Sequence, residues 1–125
     1  MKGVQAFKIT PVHSDARRDL IELVNGNFIA KQIKLLNIHQ DSILGNHYHP
    51  YRQFFYMLSG EAVYTFENIH TKQRITFNVY QDDLIIIDKD IAHKAEHKSG
   101  NIMIEGNEEA YTSPEVDDLK YIIND

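Results

Sequence analysis

The sequence predicts an all-β fold, a sandwich or closed barrel with a short C-terminal helix or tail. Three observations carry this. Short runs rich in β-branched and aromatic residues recur along the chain, and turn residues separate them. Helical periodicity is scarce. The strands are many and closely spaced, and exposed edges must be hidden by closing or stacking the sheets. At 125 residues, with no linker and no repeat, the chain suits one domain spanning 1–125.

In chain order, residues 14–24 are ambiguous, because Asp19-Leu20-Ile21-Glu22-Leu23 suits either one helical turn or a strand. Residues 28–38 read as a long strand and 43–49 as a second. Residues 53–58 and 61–67 flank Ser59-Gly60, a two-residue turn signal that predicts a hairpin. Residues 74–80 alternate Ile75, Phe77 and Val79 with polar neighbours, as a half-buried strand does. The run 84–87 is continuously apolar, so it is buried on both faces or lies at a dimer contact. Residues 93–97 and 101–105 complete the set, joined at Ser99-Gly100. Ser113-Pro114-Glu115 opens a helix over 113–123, with Pro at its first position.

Composition narrows the function. The chain has no Cys, so neither disulfides nor thiolate ligands are available. A net charge of −5 argues against nucleic acid, which rewards clustered Lys and Arg. No apolar run is long enough for a membrane helix, and the first residues lack a signal-peptide core. The expected location is cytoplasmic. The acidic stretch from Glu105 to Asp118 reads as a solvated tail and its turns, although Glu105, late in its strand, also suits an inward position with no assigned partner.

The seven histidines carry the chemistry. His47 and His49 stand two apart in a strand, so both leave the same face. His93 and His97 stand four apart, again on one face. Strands lying side by side in a barrel wall would bring such pairs together, and imidazole suits Zn, Fe, Ni and Cu. By spacing alone, a His-x-His pair is also compatible with two hydrogen-bonded histidines that bind nothing. His13, His39 and His70 fall in loops or at strand ends and receive no role.

The wider frame resembles the two motifs of the cupin family. In the first, His47-Tyr48-His49 is followed by three residues, Gln53, six residues and Gly60. The leading Gly is displaced to Gly45. In the second, Asp82-Asp83 leads through Leu84-Ile85-Ile86-Ile87 to Asp88 and Asp90, where the family has Pro and Gly, and then to His93. His97 stands where the family has Asn. The resemblance implies a cupin jelly-roll β-barrel. It also implies a divalent transition metal (Zn, Fe, Mn or Ni) on His47, His49, Gln53 and His93. Gln53 replaces the family's Glu and removes a negative charge. Three arrangements follow: a metal on three histidines, a metal also ligated by the Gln53 carbonyl, or a metal-free site.

A narrower resemblance is to sugar-nucleotide cupins: the dTDP-4-dehydrorhamnose 3,5-epimerases, the 3,4-ketoisomerases and the cupin domain of capsular polysaccharide reductase-epimerases. Asp15-Ala16-Arg17-Arg18-Asp19-Leu20-Ile21-Glu22 is similar to their opening, and Glu109-Ala110-Tyr111-Thr112-Ser113-Pro114 to their close. Such enzymes move a proton beside a keto group, which needs a base, an acid and stabilisation of the enolate. The resemblance makes His47 the base or a metal ligand. An Arg that the epimerases carry two residues earlier is Gly45 here.

Tyr56 is the candidate acid, and Arg52, Tyr64 and His97 are candidate substrate contacts. Tyr56 and Tyr64 also read as barrel core with a bonded hydroxyl, and Arg52 as a loop charge. Three functions stay open: an isomerase or epimerase of nucleotide-linked keto sugars, a binding protein for a sugar or small metabolite, and a three-histidine Fe(II) dioxygenase. A small-molecule ligand such as a nucleotide sugar is the expected partner, with a homodimer as the expected assembly.

Overall fold

The computed structural model describes residues 1–125. Its strands are β1 (Val4–Lys8), β2 (His13–Ser14), β3 (Asp19–Leu20), β4 (Gln32–Asn37), β5 (Ser42–Tyr48), β6 (Gln53–Ser59), β7 (Glu61–Asn68), β8 (Arg74–Tyr80), β9 (Asp83–Ile87), β10 (Ile91–His97), β11 (Ile102–Asn107) and β12 (Leu119–Lys120). One helical turn, α1 (Pro114–Asp117), precedes β12. Two five-stranded antiparallel sheets stack as a jelly-roll-like sandwich. The first runs β1-β9-β6-β11-β4 and the second β12-β5-β10-β7-β8. No helix is long and apolar enough to cross a membrane.

The chain changes sheet at almost every turn, and this corrects the expected hairpin at Ser59-Gly60. β6 pairs with β9 and β11, whereas β7 pairs with β8 and β10. Gly60 takes φ +109°, and the Asn101 side chain fills the place a Cβ would occupy. Asn101 accepts from the Glu61 N–H and donates to the Glu61 carbonyl, so the bend is satisfied without strand pairing. The turn signal was local, but the partner of each strand was set by the sandwich.

Strand parity then builds two cores. Phe55, Met57, Ile85, Ile87 and Met103 point between the sheets and meet Tyr64, Phe66 and Ala95 from the second sheet. The intervening Phe54, Tyr56, Leu84 and Ile86 point outward, where Phe28, Leu23, Val24 and Ala30 cover them. The run 84–87 is therefore buried on both faces within one chain. Phe28 belongs to this cover and not to a strand, so the expected strand over 28–38 shortens to β4. It packs edge-on against Phe54 at 5.2 Å. Residues 13–20 form the small β2–β3 hairpin, and the helix expected over 113–123 ends at Asp117, where the chain turns to pair with β5.

Candidate functional site

β5 and β10 lie side by side with His47 opposite His93. Just below, β5 carries an extra residue, so that Lys94 faces Gly45 and Asn46 is bulged out. Gly45 and Asn46 both have positive φ, +98° and +58°. A Cβ on Gly45 would lie 2.5 Å from the His93 carbonyl oxygen, so no side chain fits there. The bulge shifts the inward phase by one residue, and Leu44 joins His47 and His49 on the cavity wall.

The cavity of about 200 Å³ lies between the sheets. His47, His49, His93 and His97 line one wall and Gln53, Glu105 and Lys34 the other, with Asp118 also on its lining. The imidazole centroids of His47, His49 and His93 are 4.6–5.3 Å apart, and one nitrogen of each falls within 4.8 Å of the others.

The polar atoms here are unequally provided for. His49 Nδ1–H donates to the Asp117 carbonyl at 2.7 Å, which leaves Nε2 with a bare lone pair, buried and without a protein partner. Gln53 is buried and donates Nε2 to Glu105 at 3.3 Å, so its Oε1 is unpartnered. His93 Nδ1 is also unpartnered. Burial holds all three histidines below their usual range, with mutual repulsion adding for His47 and His93. His47 is pushed down to about 4. All are neutral at pH 7. Burial raises the Glu105 carboxyl, although Lys34 stands 3.6 Å away and opposes the shift.

His97 differs. Asn101 donates to its Nδ1 at 3.1 Å, its Nε2 meets the Tyr64 hydroxyl at 3.3 Å, and that hydroxyl donates to Met103 Sδ at 2.9 Å. His97 and Tyr64 line the cavity as expected, but each is already engaged.

Two expected residues lie elsewhere. Tyr56 is on the outer face of β6, donating to Asp82 at 2.6 Å, because a residue three from Gln53 on a strand points the opposite way. It does not reach the cavity. Arg52 stacks over Phe28 at 5.4 Å, with Asp88 at 3.6 Å, and lines a separate recess of about 580 Å³. That recess is larger but holds no convergent histidines.

Lys34, Asp117 and Asp118 were not legible as site residues, and Glu105, late in its strand, was legible as inward-pointing but not as part of this site. The acidic stretch is not a uniform solvated tail, since Glu105 faces the cavity and Asp117 is 2% exposed. Parity within β11 was available as a signal for Glu105, because it sits two residues from the apolar Met103. No local signal marked the others.

A divalent transition metal fits this donor set. Three neutral imidazoles converge, the buried Nε2 lone pair of His49 is aligned by a carbonyl behind the ring, and Gln53 leaves a free carbonyl oxygen.

A family model described as the polysaccharide biosynthesis C-terminal domain matches residues 13–114. No curated protein sequence matches. Solved structures share the cupin-like fold. The WlaRB TDP-quinovose 3,4-ketoisomerase of Campylobacter jejuni superposes with a TM-score of 0.81 at 18% identity, covering 96% of this chain and 94% of that one. The rmlC epimerase of Mycobacterium tuberculosis gives 0.78 at 14% identity, over 93% and 68%. A variant of the QdtA 3,4-ketoisomerase of Thermoanaerobacterium thermosaccharolyticum, in complex with TDP-4-keto-6-deoxyglucose, gives 0.74 at 14% identity, over 90% and 85%.

Proposed function

The chain belongs to the polysaccharide biosynthesis C-terminal domain family, and from that premise we propose that it isomerises or epimerises a nucleotide-linked keto sugar. One observation carries the reading: three neutral histidines and an unpartnered Gln53 oxygen line one cavity, in a fold shared with proteins that bind TDP-keto sugars. The cavity suits one sugar ring, which leaves the nucleotide to the rim.

A divalent transition metal on His47, His49 and His93, with Gln53 Oε1 as a further oxygen donor, would supply Lewis-acid polarisation of the keto oxygen. An imidazole pushed down to about 4 is a weak proton acceptor at neutral pH, which favours His47 as a metal donor over His47 as the base. Glu105 suits the base better. It is half-buried on the cavity lining, held above the usual carboxylate range, and placed on the sheet opposite His47. It takes the proton from the carbon beside the keto group. The C–H electron pair passes into the enediolate while the old keto oxygen takes up the proton of the neighbouring hydroxyl; return of the carbon-bound proton to the former keto carbon completes isomerisation, and its return to the original carbon from the other face completes epimerisation. Lys34 beside it offers positive charge as the carboxylate turns over.

A binding role without chemistry is the second reading. The neutral Gln53, standing where the cupin motif has Glu, favours it. Incubation with TDP- and UDP-4-keto sugars in D2O, with Zn, Fe, Mn or Ni added singly, separates the two. Deuterium at the carbon beside the keto group is expected, whereas tight binding with no exchange would replace the enzyme by a binding protein.

A homodimer remains part of the proposal, but on a different surface from residues 84–87. Ile29, Ile33 and Leu35 are exposed by 62–76% on and beside the edge strand β4. A monomeric mass by light scattering would remove it.

A further inference from the structure

Asp117 sits at the end of α1, buried to 2% exposure, and every one of its polar groups is engaged. Its Oδ2 accepts from the backbone N–H groups of Thr112 and Ser113 at 2.7 and 2.9 Å. Its Oδ1 accepts from the Tyr51 hydroxyl at 2.9 Å. Its own N–H closes the helical turn onto the Ser113 carbonyl at 2.9 Å. Its carbonyl takes the His49 Nδ1 proton.

Two routes thus lead from Asp117 to His49. The first is direct, through the carbonyl. The second runs through Tyr51, whose ring lies parallel to the imidazole, with centroids 5.4 Å apart and planes 10° apart. Together they fix the ring's tautomer, plane and rotation. Asp118, whose Oδ1 is 3.5 Å from the same Nδ1, is the alternative acceptor for that proton. The turn held by the Asp117 carboxylate is what places the carbonyl ahead of it.

We infer that Asp117 is a positioning residue for the cavity, its carboxylate folding the 112–117 turn so that its carbonyl and Tyr51 hold His49 with Nε2 bare. This rests on the reading of His49 as a donor in the cavity. A group held from behind in this way typically changes metal affinity by about 10–100-fold when lost. The carboxylate itself touches neither the cavity histidines nor the space a substrate would fill.

The test uses Asp117→Asn, close in shape but without the charge and with an NH2 donor set against either the backbone N–H groups or the Tyr51 hydroxyl, and Tyr51→Phe, which keeps the stacked ring and loses the hydroxyl. Two readouts are needed. Long-range 1H–15N spectra at pH 7 report the His49 tautomer without any metal, and Co(II) titration by visible absorption reports affinity. The expected result is a single Nδ1–H tautomer in the wild type, a tautomer mixture in Asp117→Asn with Co(II) affinity lower by about tenfold or more, and a smaller loss in Tyr51→Phe. A folded Asp117→Asn protein with the wild-type tautomer and affinity would overturn the inference. If the wild type binds no Co(II), the metal reading falls, and the tautomer spectra alone decide the inference. A shifted tautomer in Asp117→Asn upholds it and an unchanged one overturns it.

Discussion

The two ends of one cavity treat histidine in opposite ways. At one end His49 and His93 each keep a buried nitrogen without a protein partner, and His47 sits against them. At the other end His97 has both nitrogens occupied, by Asn101 and Tyr64, and the chain of bonds ends at Met103. All four are displaced below the usual histidine range by burial, so burial does not separate them. What separates them is the withholding of partners. An unsatisfied buried nitrogen costs roughly 1–3 kcal/mol, a cost that the proposed ligand of the three histidines would offset.

The sharpest way to break this contrast is to delete histidines at each end. His49→Ala and His93→Ala should each abolish metal retention in elemental analysis and lower deuterium exchange by more than the roughly 10–100-fold typical of losing a group behind a ligand. His97→Gln should keep the metal and lose only about 1 kcal/mol of stability in urea unfolding, the net worth of a typical hydrogen bond. Loss of metal in His97→Gln would erase the distinction between the two ends.

Next in size is Gly45→Ala. The positive φ alone costs about 1–3 kcal/mol for a side-chain residue, and the new Cβ would press on the backbone of β10 at His93. Both the denaturation midpoint and the metal affinity should fall, because the bulge sets the spacing of His47 and His93. Unchanged metal affinity would show that the bulge does not align the donors.

The pH response comes third, and its sign follows from the depressed histidines. Below about 6.5 the unfolded chain takes up protons that the folded cavity refuses. Stability is therefore full above about 6.5 and is lost as the pH falls toward about 4, where His47 itself titrates. Any fall in metal affinity on acidification should be centred below about 6.5. A loss of affinity centred at 6.5 would mean that the histidines titrate as they do in water.

The smallest effect is expected for Tyr56→Phe. It removes one hydrogen bond to Asp82 on the outer face and should cost about 0.5–1.5 kcal/mol with no change in metal content or exchange rate. A fall in exchange alone would carry the chemistry through β6 to its outer face.

By itself the sequence determined the all-β class, the positions of most strands, and the inward face of His47, His49, His93 and His97, because side-chain parity within a strand is a local property. The same parity separates Tyr56 from Gln53 on β6, so the outward direction of Tyr56 is legible in the sequence once Gln53 is taken to face in. Tertiary structure alone decided three things. It decided which strand pairs with which: the Ser59-Gly60 turn passes between sheets, since pairing depends on contacts distant in sequence. It placed Lys34 and Glu105 opposite the histidines, because β4 and β11 reach that wall only when the sandwich closes. It brought Asp117 behind His49, 68 residues apart, where a carboxylate in a stretch that reads as solvated becomes buried because the folded backbone supplies the N–H groups that satisfy it.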